Sequence, residues 1–211
     1  VDSEETVYFS WVSVHQHGAS LTPQDVFLTK STNGGRSWST IFIERGLPEG
    51  PDCSVYSCGW DYLGPQMVVT VDAANRLYVA YNAGTVVMGP PTVWFRTSDD
   101  GGRSWSARVQ LPGDRTQAAH VFPALVGGKA DHVYAAWQDN RTGLFNTWYR
   151  SSSDGGRSWS AEVQVSQYAA GFSYKEPNGA NFTYGDYFGI AWDGVHVHLA
   201  WGEGPDWLGP G

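Results

Sequence analysis

The side chains best suited to chemistry here are a scattered set of carboxylates, one arginine and one phenol. Gly185-Asp186-Tyr187 sets an acid beside a phenol, and Trp137-Gln138-Asp139-Asn140-Arg141 sets an acid two positions from a guanidinium. Trp201-Gly202-Glu203 adds a further carboxylate. Groups of these kinds hold or hydrolyse an acidic sugar, by proton transfer and by the charge-assisted grip of arginine on a carboxylate. Asp186, Tyr187 and Glu203 are therefore the catalytic candidates, and Asp139, Arg141, Asp186 and Tyr187 the ligand-binding ones. Each has a plainer alternative. Asp186 and Tyr187 also suit a turn, and Asp139 with Arg141 also suits a local ion pair.

Metal chemistry finds little support. His15 and His17, and again His196 and His198, are two residues apart, which places each pair on one face of an extended chain. His198 shares a repeat column with Tyr8, Tyr78 and Tyr134, the mark of a packing position. That leaves His15-Gln16-His17, in an expected loop, and no metal or cofactor is assigned. Cys53 and Cys58 cannot complete a tetrahedral zinc site alone. A disulfide stapling their loop, in an oxidising compartment, is one reading, and two unpaired thiols the other. Sequons at Asn140-Arg141-Thr142 and Asn181-Phe182-Thr183 are compatible with secretion.

The elements that carry these residues are written as repeats. Ser31-Thr-Asn-Gly-Gly-Arg-Ser-Trp38, Ser98-Asp-Asp-Gly-Gly-Arg-Ser-Trp105 and Ser152-Ser-Asp-Gly-Gly-Arg-Ser-Trp159 are near-copies of one segment, called the box below. Strand-like runs surround each copy: Thr6–Trp11, Arg76–Tyr81 and His132–Trp137 upstream, and Val26–Thr29, Val93–Arg96 and Thr147–Arg150 beside it. His196–Trp201 is a fourth upstream run with no box after it. Further runs follow each box (Ile41–Ile43, Val109–Leu111, Val163–Val165) or lead into the next unit (Met67–Val71, Phe122–Val126, Phe188–Trp192). Short runs rich in β-branched and aromatic residues between turn residues read as strands. Each unit is thus four antiparallel strands, with the box as the last hairpin. Asn33-Gly34, Asp100-Gly101 and Asp154-Gly155 provide the residues that tolerate positive φ in a tight turn. The Asn or Asp also accepts backbone amides across it, and the Trp packs back over the hairpin.

The pattern S-x-D-x-G-x-x-W resembles the Asp-box, or bacterial neuraminidase repeat, of sialidase-like β-propellers. The resemblance runs through essentially the whole chain, with Asn33 in place of Asp in the first copy. It implies an all-β propeller of four-stranded antiparallel blades. It also implies structural roles for Ser31, Asn33, Gly35 and Trp38, for Ser98, Asp100, Gly102 and Trp105, and for Ser152, Asp154, Gly156 and Trp159. The boxes of that family lie on the outer part of the blades, away from the central pocket. A sialidase would further need three arginines on the substrate carboxylate, an acid/base Asp and a Tyr nucleophile assisted by Glu. The early Arg-Ile-Pro signature of sialidases is missing, and Arg36, Arg103 and Arg157 are committed to boxes.

Second strands end at Trp11, Tyr81, Trp137 and Trp201, so the chain holds about three and a half units. They cover approximately 1–46, 67–113, 121–167 and 187–211, with a cysteine-containing insert at 47–66. Propellers commonly need four to eight blades to close. The chain therefore reads as one domain or fragment of a larger ring, as a ring completed by a second copy or a partner chain, or as a small irregular ring. The 211 residues carry 26 Gly, 11 Pro and 11 Trp, with a net charge of −8. Such a balance offers no basic surface for nucleic acid, and no apolar run is long enough for a membrane span. The sequence points to an extracellular or envelope module that binds glycan or protein. A sialidase-like glycosidase and a structural subunit of an assembly are the alternatives.

Overall fold

The computed structural model describes residues 1–14, 23–48, 66–87, 89–114, 117–166 and 188–202. Cys53, Cys58, His15, His17, Asn181, Asp186, Tyr187 and Glu203 lie outside the described residues. Everything described is strand, turn or irregular chain, so no helix there is long and apolar enough to cross a membrane.

Four antiparallel meanders follow one another along the chain. The first sheet is β1 (Val7–Val14), β2 (Gln24–Ser31) and β3 (Ser39–Gly46). The second runs β4 (Met67–Val71), β5 (Leu77–Gly84), β6 (Pro91–Ser98) and β7 (Val109–Gln110). The third runs β8 (His120–Gly127), β9 (Val133–Asp139), β10 (Asn146–Ser152) and β11 (Val163–Gln164). The fourth consists of β12 (Gly189–Trp192) and β13 (Val197–Ala200). In each full sheet the order in space is the order in sequence, as in a propeller blade.

The sheets stack face to face, and the core lies between them. Val26, Leu28 and Ile43 of the first sheet meet Leu77, Val79, Tyr81 and Ala83 of the second. The other face of the second sheet, with Tyr78, Ala80, Val93 and Phe95, meets Leu125, Val133, Ala135 and Trp137 of the third. Strand β5 is buried over its full length because alternate side chains serve opposite cores. Its counterpart β1 serves only one, and Phe9 is 60% exposed where Val79 and Ala135 are fully buried.

The box hairpins close the third strand onto the fourth. In each, the central acid or amide sits in ordinary backbone, and both following glycines take positive φ: 67° and 84° at Gly34 and Gly35, 69° and 86° at Gly101 and Gly102, 75° and 83° at Gly155 and Gly156. This corrects the expectation that Asn33, Asp100 and Asp154 share in the left-handed turn. Two consecutive left-handed residues favour glycine at both places, and this frees the acid to act as an acceptor.

Candidate functional site

Strand β10 separates two chemistries. Its Ser152 end enters a box, while its Asn146 end adjoins a cluster of charged groups. The cluster begins with Asp139, the last residue of β9, whose side chain is fully buried. A tight turn follows, closed by the Gly143 amide donating to the Asn140 carbonyl at 2.9 Å. This turn brings Arg141 back onto Asp139: Nε donates to Oδ1 at 2.8 Å and Nη2 to Oδ2 at 2.6 Å. The β7–β8 and β10–β11 connections, distant in sequence, supply the rest. Asp114 follows β7 and lies 3.2 Å from Arg141 Nη2; Glu162 precedes β11 and binds Arg141 Nη1. His120 opens β8, opposite Asp139 in the register. A bulge between Val121 and Ala124, with Phe122 at φ 52°, resets the pairing beyond it.

His120 Nε2 lies 2.8 Å from Asp114 Oδ1, and its Nδ1 lies 3.3 Å from the Pro91 carbonyl. The Trp137 indole donates to Asp139 Oδ2 at 2.8 Å, and the Arg141 guanidinium lies 4.0 Å from the Trp148 ring centroid. Burial by itself lowers the Arg141 pKa, but the hydrogen bonds and charges of Asp139 and Glu162 overcome it and hold the group above its ordinary value. Arg150, 3.9 Å from Glu162, is shifted downward by burial.

Ligand atoms of Asp114, His120 and Asp139 lie within 4.8 Å of one another, which is metal-like spacing. Arg141 Nη2 already lies within hydrogen-bonding reach of both carboxylates, so the guanidinium supplies the positive charge a cation would bring. The same saturation decides what Arg141 can do. Its fork is filled by protein carboxylates and its face by Trp148, leaving no pair of parallel donors for a substrate carboxylate.

The other described arginines outside the boxes follow suit. Arg45 pairs with Asp25; Arg76 with Asp99 and Asp131; Arg96 and Arg108 with Glu44. Arg150 donates to the carbonyls of Leu111 at 2.7 Å and Ser160 at 2.8 Å.

Box side chains are spent within their hairpins. The Ser104 amide and hydroxyl donate to Asp100 at 2.9 and 2.6 Å, and those of Ser158 to Asp154 at 2.9 and 2.5 Å. Ser98 and Ser152 each accept a glycine amide, from Gly102 and Gly156, at 2.9 Å. The first box repeats the pattern through Ser31, Gly35 and Asn33, and Trp38 and Trp105 donate their indoles to Gly35 and Gly102.

A second recurrent device escaped sequence reasoning. Asp2, Asp72 and Asp193 each cap the turn before a second strand, and each takes a side chain from that strand: Tyr8 at 2.9 Å, Tyr78 at 2.7 Å and His198 at 2.8 Å. The column shared by His198 and the tyrosines is thus a hydrogen-bonding position at Tyr8, Tyr78 and His198, and His198 itself is exposed rather than packed. Desolvation and the bond to Asp2 push the Tyr8 phenol up to about 12. Asp114, His120 and Glu162 were missed as well. Glu162 alone left a signal, a break in the repeat three residues after the box Trp, where Ile41 and Arg108 stand in the other copies.

Where the inner strands converge, an open cavity of about 430 Å³ is lined by Tyr8, Phe9, Met67, Val69, Leu125 and Ile190 among others, with no charged side chain among the described residues.

No protein-family model matches the chain, and no curated protein matches it by sequence. Solved structures do share its fold. The Penicillium chrysogenum α-L-arabinanase complexed with arabinobiose matches 92% of this chain and 53% of its own, with a TM-score of 0.60 at 13% identity. A Fusarium graminearum GH93 α-L-arabinofuranosidase in complex with arabinobiose matches 76% of this chain and 45% of its own, with a TM-score of 0.54 at 15% identity. A Hadza microbial sialidase matches at a TM-score of 0.46 and 18% identity over 75% of this chain and 35% of its own. The chain spans about half the length of the first two. All-β, with antiparallel sheets of up to four strands and propeller-type neighbours, the chain has a β-propeller fold.

Proposed function

We propose that the chain is an extracellular carbohydrate-recognition domain that binds a neutral glycan without hydrolysing it. One observation carries this reading: the guanidinium at the end of the third sheet is fully engaged by the carboxylates gathered around it. Arg141 is held by Asp139, Asp114 and Glu162, so it serves as a rigid support for the surrounding connections and offers no grip on a sugar acid. The other described arginines outside the boxes are engaged in the same way, and the chain carries a net charge of −8. Both features disfavour a sialylated ligand. The arabinobiose complexes of two proteins with this fold support a neutral sugar as the ligand class. Recognition through stacking and hydroxyl hydrogen bonds needs no charge.

The reading is tested by calorimetric titration with arabino-oligosaccharides and with sialyllactose, while chromatography follows any released sugar. Saturable binding of the neutral oligosaccharide, with no product, is the expected result. Turnover of a fluorogenic sialoside that disappears in Tyr187→Phe or Asp186→Asn would replace it with the glycosidase. Failure of every glycan to bind would favour the structural subunit.

A further inference from the structure

We propose that Asp193, His196 and His198 form a binding site for a divalent transition cation of the zinc class, at the turn between β12 and β13. The proposal is independent of the glycan reading. His198 Nε2 lies 2.8 Å and His196 Nδ1 3.5 Å from the same carboxylate oxygen, Asp193 Oδ2. A tetrahedral zinc with bonds of about 2.1 Å sets neighbouring ligand atoms about 3.4 Å apart, between those two values. The imidazole ring centroids stand 6.3 Å apart, and His196, with 73% of its side chain exposed, has room to turn toward its partner.

The carboxylate is already fixed in place. Asp193 Oδ1 accepts the amides of Val195 at 2.7 Å and His196 at 2.6 Å, which leaves Oδ2 aimed at the two rings. Metal-ligating carboxylates are commonly oriented by such bonds from behind. The His196 amide first, and the His198 ring next, hold Asp193 well below the usual carboxylate range, so it is ionised at neutral pH. Among the described residues no arginine or lysine pairs with Asp193, whereas Arg141 already supplies the cation for Asp114 and Asp139.

The repeat isolates this chemistry in one sheet. Asp2 and Asp72 cap corresponding turns, but they face the phenols of Tyr8 and Tyr78, and the residues two positions earlier are Thr6 and Arg76. The third sheet has His132 in that earlier place, yet its Nδ1 lies 2.9 Å from the Ala130 carbonyl and Tyr134 stands two positions on. Among the described residues, the fourth sheet alone brings two imidazoles to a capping carboxylate. The tyrosine column that spoke against zinc in the sequence is therefore a column facing a carboxylate, and exchanging phenol for imidazole converts a structural hydrogen bond into a pair of ligands. The cation takes the place of the proton shared between His198 Nε2 and Oδ2, and water fills the fourth position.

The test titrates Zn²⁺ alone into the chelator-stripped 211-residue chain by calorimetry, with the imidazole nitrogens followed by NMR. Saturable binding is expected, and the ring signals of His196 and His198 should shift together as the site fills. His198→Tyr installs the residue found in the same column at Tyr8, Tyr78 and Tyr134, and Asp193→Asn keeps an acceptor for the two amides while removing the anionic ligand. Affinity should fall about tenfold or more in each variant. Zinc taken up by His15 and His17, or by Cys53 and Cys58, is common to all three proteins and cancels in the comparison. Unchanged affinity and stoichiometry in His198→Tyr would overturn the site. So would zinc binding that leaves the His196 and His198 signals unmoved, or the absence of saturable binding. The NMR arm uses the unaltered chain, so it decides the matter even if a variant misfolds.

Discussion

The first box hairpin and the second and third have nearly the same sequence and largely the same internal hydrogen bonds, yet they sit in different surroundings. A Cβ on Gly102 would come 2.7 Å from Leu28 of the first sheet, and one on Gly156 would strike the Phe95 ring of the second. In the first box nothing lies within 4 Å of a Cβ on Gly34, and a Cβ on Gly35 meets only its own Trp38, itself 49% exposed. Eight residues suffice to form the hairpin, but the neighbouring sheet determines how much it stabilises the fold. The largest expected effect exploits this contrast. Gly156→Ala combines a left-handed backbone with a collision against a buried ring and should cost about 3 kcal/mol. Gly35→Ala, at nearly the same φ, should cost about 1 kcal/mol, from the backbone alone. Chemical denaturation of both variants checks the difference. Equal losses would show that the hairpin is worth the same with or without a neighbour.

The same division runs along the third strands. Arg96 and Arg150 occupy one column and reach carbonyls of the preceding sheet: Arg96 to Ile43 at 3.3 Å, Arg150 to Leu111 at 2.7 Å. In the first sheet that column holds Thr29, which accepts the Trp11 indole at 2.9 Å and bonds Thr40 at 3.0 Å, all within its own sheet. Arg150→Thr leaves the carbonyls of Leu111 and Ser160 without their donor and should cost about 2 kcal/mol. Thr29→Ala loses only partly exposed bonds and should cost less than about 1 kcal/mol. Denaturant midpoints that reverse this order would break the parallel between the sheets.

How far such contrasts were legible in the sequence depends on the range of the interaction. The box could be read because its partners, such as Ser98, Asp100 and Ser104, fall within a few residues of one another. Blade order followed from the same repeat. Asp139 and Arg141 were visible as a pair for the same local reason, whereas Asp114 and His120 from the β7–β8 connection and Glu162 from the β10–β11 connection reach that pair from far along the chain. Nothing in a single sequence indicates which connections converge. The Asp2, Asp72 and Asp193 turns stayed hidden for another reason: the partner lies six residues on at Tyr8 and Tyr78 but five at His198, and it changes from phenol to imidazole. A strict spacing search does not unite them. The lack of an inner strand in the first unit was legible in the repeat, whereas the exposure of Phe9 was not, because the run Thr6–Trp11 carries no sign of which sheets face it.

The smallest expected effect separates the boxes by charge. Asp100 and Asp154 are held well below the usual carboxylate range, first by the hydroxyls of Ser104 and Ser158 and then by their amides. Asn33 makes equivalent contacts without titrating, and the direction of one bond reverses: its Nδ2 donates to Ser37 Oγ at 2.8 Å. A carboxyl whose folded pKa is depressed stabilises the fold above its unfolded value and loses that contribution as pH falls through the folded one. The second and third boxes should therefore weaken below about pH 4, and the first should not. At pH 7, Asn33→Asp and Asp154→Asn should both melt close to the parent, because either group can satisfy the turn. Below about pH 4 they should diverge, Asn33→Asp losing stability more steeply than the parent and Asp154→Asn less steeply. Thermal melts from pH 7 down to pH 2 read this directly. Parallel curves for all three proteins would mean that the box carboxylates are as easily protonated in the folded chain as in the unfolded one.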